Sequence, residues 1–203
     1  PSPGGCACSW RVDVCARSCV CACSCSLRFQ LAIATALDEI GMDYVEAGWP
    51  GANPTDDAFF ATPPVLKTAK IVAVGMTRRG GRSTANDPGL NAVIDAEVPA
   101  TCLVGKTWDF HVETAIKTTL TENLEMISQS VAAAKKRGRE SMFDCEHFFD
   151  GFKNNEDYAL SCAKAAVDGG AAWVLLLHAA RPRVFLRVLG FEQAGAGGPP
   201  AFG

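Results

Sequence analysis

Carboxylates and cations cluster at the ends of apolar runs in this chain, and that spacing is where acid–base chemistry and anion binding would sit. Val45-Glu46-Ala47-Gly48 runs into Trp49-Pro50-Gly51, and Ile71-Val72-Ala73-Val74-Gly75 into Thr77-Arg78-Arg79. Thr101-Cys102-Leu103-Val104-Gly105 ends in Lys106, while Ser141-Met142-Phe143-Asp144 ends in Cys145-Glu146-His147. Parallel strands whose carboxyl ends share one face give this grammar. A carboxylate beside an imidazole at such an end, Glu146-His147, has the groups needed to move a proton. Lys106 could attract a carboxylate or neutralise Glu46 and Glu146. Arg78 and Arg79 could face phosphates or lie solvated in a loop. Asp144 and Glu46 could line a pocket or accept structural hydrogen bonds, and His111 reads as a loop or capping residue.

Strands must carry these groups, separated by helices that cover the sheet. Strands are predicted near 44–48, 70–75, 100–104, 141–144 and 172–177. Ile33, Leu37 and Ile40 before Gly41 predict a first helix. Further helices are expected after a cap at Thr55-Asp56-Asp57, after Asp87-Pro88 with Leu90, Val93 and Ile94 buried, and from Thr121 with Leu124, Ile127, Val131 and Ala134 on one face. A last one starts at Asp157 and closes at Gly169-Gly170. Strand starts recur every 30–40 residues or so, close to the length of a βαβ unit, about 30 residues. No G-x-G-x-x-G phosphate turn follows the first predicted strand, so part of a (β/α)8 barrel is favoured over a doubly wound nucleotide binder.

Composition divides the 203 residues in three. Residues 1–30 hold seven of the ten cysteines, residues 31–173 hold all eight lysines with a net charge of −7, and residues from 174 onward contain three Arg, one Glu and no Lys. A net acidic middle argues against nucleic-acid binding, which needs clustered positive charge. Lys135-Lys136-Arg137-Gly138-Arg139 reads as a helix end opposing its dipole. No apolar run approaches the ~20 residues of a membrane span. Cys19-x-Cys21-x-Cys23-x-Cys25 has the density of clustered thiolate ligands but lacks the C-x₂₋₄-C pairs of structural zinc sites.

The middle resembles the citramalate synthase branch of the isopropylmalate/homocitrate synthase family of metal-dependent acyltransferases. The likeness rests on Leu37-Asp38-Glu39-Ile40-Gly41-Met42-Asp43-Tyr44-Val45-Glu46-Ala47-Gly48-Trp49-Pro50-Gly51-Ala52-Asn53-Pro54, on Thr77-Arg78-Arg79, on Gly105-Lys106-Thr107-Trp108-Asp109-Phe110-His111-Val112, and on Asp144-Cys145-Glu146-His147-Phe148-Phe149-Asp150-Gly151. It covers roughly residues 31–176. It implies an α/β fold, strands two to six of a (β/α)8 barrel with their helices, between an irregular Cys-rich head (1–30) and a Gly/Pro-rich tail (177–203).

The resemblance implies condensation of acetyl-CoA with pyruvate to citramalate and CoA, with a divalent metal (Mg, Mn or Zn), in isoleucine and leucine biosynthesis. An isopropylmalate or homocitrate synthase, an acyl-CoA lyase of the same superfamily, or a non-catalytic fragment are the alternatives. It implies catalytic roles for Glu146 and His147, substrate binding by Glu46, Trp49, Thr77, Lys106 and Asp144, and contacts from Arg78 and Arg79 to acetyl-CoA. A homodimer in the cytoplasm, or in a plastid, is expected, without nucleic-acid or membrane partners. The Asp-Thr-Thr-Leu-Arg-Asp-Gly and His-x-His motifs that carry the family's metal ligands do not occur in these 203 residues, so no metal ligand is assigned. The ends have the composition of GC-rich DNA read in a wrong frame, so the chain is expected to be a truncated domain, inactive alone and poorly stable.

Overall fold

The structure, a computed structural model, describes the backbone of residues 19–21, 26–178 and 181–187, and the side chains of residues 26–177. Seven strands form one sheet in the order of the chain: β1 (Cys19–Cys21), β2 (Tyr44–Gly48), β3 (Lys70–Met76), β4 (Ala100–Lys106), β5 (Glu140–Glu146), β6 (Trp173–His178) and β7 (Arg181–Arg187). The first six are parallel, and β7 returns antiparallel along β6. The five strands read from the sequence are all present. β1 and β7 fall in the predicted irregular head and tail, so β2 and β6 are not the sheet edges that five strands alone would have left unpaired.

Among the described residues seven α-helices intervene: α1 (Leu27–Glu39), α2 (Pro54–Ala61), α3 (Pro88–Asp95), α4 (Asp109–Thr114), α5 (Leu120–Lys136), α6 (Phe148–Asn154) and α7 (Glu156–Gly169). Their caps lie close to those expected, with three corrections. Asn53 rather than the 55–57 run caps α2, accepting from Thr55 and Asp56 N–H; Thr119 rather than Thr121 caps α5; and Asn155 rather than Asp157 caps α7. Asp87 caps α3 as read, accepting from Leu90 N–H over a Pro88 first turn. The stripe of α1 is also rotated. Gln30, Ala34 and Asp38 are its buried residues, and Ile40 is 72% exposed. Two polar groups can occupy that stripe because each is bonded: Gln30 Nε2 donates to Asp56, and Asp38 accepts from the N–H groups of Lys67, Thr68 and Ala69.

Parallel strands bury both faces. One face packs Val45, Ile71, Leu103, Phe143 and Val174 against the helices, while Val72, Ala100, Cys102, Met142, Leu175 and Leu177 form a second apolar cluster on the other face. That second face is strongly curved. Tyr44 on β2 and Trp173 on β6 lie four strand steps apart, about 19 Å on a flat sheet at ~4.8 Å per step, yet their ring centroids are 6.0 Å apart. The sheet therefore curls into a trough, the wall of a partial barrel. No helix among the described residues is long and apolar enough to cross a membrane.

Candidate functional site

Alternation along each strand decides which side chains enter the trough. On β4 these are Ala100, Cys102, Val104 and Lys106, and on β5 Glu140, Met142, Asp144 and Glu146. In-register pairing sets Lys106 beside Glu146 at the carboxyl end. Their side chains meet there, Lys106 Nζ donating to Glu146 Oε2 at 2.5 Å. The backbone beneath is pinned: Thr107 N–H and hydroxyl both donate to the Glu146 carbonyl, and Asn123 Nδ2 donates to the Lys106 carbonyl.

His147 follows in the left-handed region, with φ 58°, which turns the chain into α6. Its Nδ1 approaches Asp150 Oδ2 at 3.4 Å. The His111 ring meets it edge-on, with centroids 4.5 Å apart, and Trp108 packs on His111 at 4.6 Å. His111 is thus part of the mouth, a placement not read from the sequence. The signal was its position three residues after Trp108 in a short helix that continues the β4 end. Burial pushes its pKa below the ordinary value, as do the nearby His147 and Lys106, with Glu146 and Asp150 opposing.

A cavity of about 480 Å³ opens beside the pair, lined by Trp49, Thr77, Arg78, Arg79, Lys106 and Lys117, with Met76, Ile116 and Met126 as apolar surface. The loop bearing Trp49 is shaped by Asp56, which accepts from Trp49 N–H at 3.0 Å and fills the space a Cβ on Gly48 (φ +146) would need. Only glycine suits that position. The two arginines differ. Arg78 is 3% exposed, and its guanidinium donates to Glu122, Gln129 and the Arg79 carbonyl inside the fold, through Nε and Nη1. Arg79 is exposed on the cavity wall.

Glu46 and Asp144 lie deeper than the sequence reading placed them, 4% and 1% exposed. Strand tilt brings them together with Cys102, and these three are the group among the described residues whose donor atoms could hold a metal ion, all within 4.8 Å of one another. Cys102 was not singled out from sequence, since only the register reveals that it shares a face with Asp144. At the mouth itself the residues do not fit a divalent cation: Glu146 is already bound to the Lys106 ammonium, and His147 turns to Asp150.

Comparison with known proteins agrees with this architecture. The chain is 48% identical over 149 residues to the (R)-citramalate synthase of Aquifex aeolicus, and 45% identical over 150 residues to that of Streptomyces coelicolor; each match covers 72% of this chain and 28% of the relative. The chain thus spans little more than a quarter of the length of these relatives. The solved HMG-CoA lyase of Bacillus subtilis shares the fold, with a TM-score of 0.58 at 14% identity over 75% of this chain and 51% of that one. The HMGL-like family model matches residues 21–178, from β1 to the end of β6. The chain belongs to the HMGL-like family.

Proposed function

We propose that this chain forms the substrate wall of a citramalate-synthase-type barrel, which joins the acetyl group of acetyl-CoA to pyruvate in the cytoplasm or a plastid. The observation that carries the reading is the Lys106–Glu146 pair, 2.5 Å apart where the trough opens on the cavity. In this reading the Lys106 ammonium receives the carboxylate of a 2-oxo acid, and Glu146 orients it. His147, backed by Asp150, is the proton acceptor for the acetyl methyl group. The resulting enolate carbon bonds to the ketone carbon, the alkoxide takes up a proton, and water cleaves the thioester to release CoA–SH. Trp49 and the apolar wall suit the acyl arm, and Arg79 and Lys117 suit its phosphates.

The divalent cation of such chemistry polarises the ketone, and its donors are not found among the described mouth residues. Slow or absent turnover by this chain alone is therefore part of the proposal. Calorimetric titration with acetyl-CoA and pyruvate, alongside mass-spectrometric detection of citramalate with Mg²⁺ or Mn²⁺, tests both halves. Binding of acetyl-CoA with little product is the expected result. Turnover at the rate of complete synthases would refute the loss of the metal site. Absence of acetyl-CoA binding would leave a non-catalytic fragment.

A further inference from the structure

We propose that Asn123, in the first turn of α5, is a positioning residue that sets the place of the Lys106 ammonium through the backbone of β4. The inference rests on the reading of Lys106 as the group that receives a 2-oxo acid.

Lys106 is the last residue of β4, and its carbonyl lies beyond the ladder with β3. Thr77 N–H still reaches the Val104 carbonyl, but Arg79 N–H, two residues on, goes to the Asp87 carboxylate. The Lys106 carbonyl, next in that row, is taken by a side chain instead: Asn123 Nδ2 donates to it at 2.9 Å. The Cys162 thiol, 3.9 Å from the same carbonyl, is a weaker donor. On the β5 side, Thr107 N–H and hydroxyl hold the Glu146 carbonyl. A lysine ammonium rides on a long flexible stem. Its place beside Glu146 Oε2, 2.5 Å away, therefore depends on where these two anchors fix the backbone. A shift of ~1 Å in a group that holds substrate costs up to about a hundredfold in rate.

Asn123 is oriented as well as buried. Nδ2 also donates to the Tyr158 hydroxyl on α7 at 2.8 Å, and that hydroxyl lies 3.5 Å from the Leu120 carbonyl, its own acceptor. Burial raises the Tyr158 pKa far above its ordinary value, so the phenol keeps the hydrogen it donates. Both amide hydrogens of Asn123 are thus committed, while Oδ1, equally buried, meets no donor among the described residues. Turning the amide over would set oxygen against the Lys106 carbonyl, acceptor against acceptor. An unpaired buried acceptor is destabilising, and here it accompanies a fixed Lys106 carbonyl.

Nuclear magnetic resonance of the full chain carrying isotope-labelled lysine tests the proposal, the Lys106 side-chain signal being identified by its loss in Lys106→Met. Asn123→Leu should move that signal and leave the signal of Lys70, at the opposite end of the strands, in place. Pyruvate, titrated by calorimetry, should bind Asn123→Leu about fivefold more weakly than the unaltered chain. The difference should vanish in a Lys106→Met background, because Asn123 acts through Lys106. Tyr158→Phe should give a smaller loss that disappears once Asn123 is replaced. An unmoved Lys106 signal in Asn123→Leu, or an equal loss of pyruvate affinity with and without Lys106, would overturn the proposal. An unaltered chain that binds no pyruvate refutes the 2-oxo acid reading of Lys106, and the Lys106 signal then decides alone whether Asn123 positions it. Should Asn123→Leu fail to fold by circular dichroism, Tyr158→Phe is judged by the same signal, and an unmoved Lys106 overturns the proposal equally.

Discussion

Trp173 Nε1 donates to the Tyr44 hydroxyl at 3.2 Å, although β2 and β6 are four strand steps apart. Both also donate to Glu140 Oε1, Tyr44 at 2.7 Å and Trp173 at 3.1 Å, while Lys70 Nζ takes Glu140 Oε2 at 2.6 Å. Residues from β2, β3, β5 and β6 thus converge on one carboxylate at the amino ends of the strands. The curvature of the trough at the opposite end, where Lys106 and Glu146 sit, depends on this closure.

Glu140→Gln is expected to destabilise the chain by about 1–3 kcal/mol at neutral pH, because it removes a charged acceptor from three donors. Burial opposes ionisation of Glu140, yet the bonds from Lys70, Tyr44 and Trp173 outweigh it and leave its pKa below the ordinary value. A lowered carboxyl pKa contributes stability that is present above the unfolded value, about 4.3, and is lost as pH falls through the folded one. Denaturant titrations at pH 7 and pH 3 check this. The gap between variant and unaltered chain should shrink at acid pH, and a constant gap would contradict the assignment.

Arg78 and Arg79 should separate cleanly. Arg78→Met removes a buried guanidinium bonded to Glu122 and Gln129 and is expected to cost about 2–3 kcal/mol. Arg79→Ala alters an exposed side chain and should stay within about 0.5 kcal/mol. Acetyl-CoA affinity should fall about fivefold in Arg79→Ala, the worth of roughly 1 kcal/mol. Thermal melts and calorimetry decide, and equal destabilisation by both would refute the distinction.

The His111 imidazole should titrate below the ordinary value of about 6.5, since burial, His147 and Lys106 all depress it against the pull of Glu146 and Asp150. His147→Ala should raise the midpoint without restoring it fully, burial being the larger cause. The unfolded chain takes up this proton before the folded one, so the His111 contribution lowers stability as pH falls below about 6.5. Proton NMR titration of the imidazole signals measures the midpoints; an unmoved His111 midpoint in His147→Ala would exclude the ring contact as a cause.

Gly151→Ala is expected to destabilise by about 1–3 kcal/mol, the range for overpacking. A Cβ there would lie 2.5 Å from the Thr107 carbonyl oxygen and 2.9 Å from Trp108 Cα, which are backbone atoms unable to swing aside. Helix α6 would have to back away from the loop that carries Trp108, separating His147 from His111. A melting temperature equal to that of the unaltered chain would show that the two segments are not in this contact.

Much of this arrangement was legible in the chain. The runs ending at Gly48, Met76, Lys106, Glu146 and His178 are apolar enough to be strands buried on both faces, and their polar ends foretold the mouth. The caps slipped because Thr119 and Thr121, or Asn155 and Asp157, offer equally good side-chain oxygens two residues apart. Helices α4 and α6 are too short to show a 3.6-residue period. The inward stripe of α1 was missed because Gln30 and Asp38 owe their burial to partners at Asp56 and at residues 67–69, distant in sequence. The meeting of Glu46, Cys102 and Asp144 depends on strand tilt, which no local pattern records.

The antiparallel course of β7 has a consequence for assembly. In a βα repeat, each new strand enters from the same end of the sheet and claims the free hydrogen-bonding row of its predecessor. From Trp173 to His178 that row on β6 is already taken by Arg181–Arg187 running the other way. Any further parallel strand, from this chain or another, could add beside β6 only by strand displacement, with β7 as the competitor it must first dislodge.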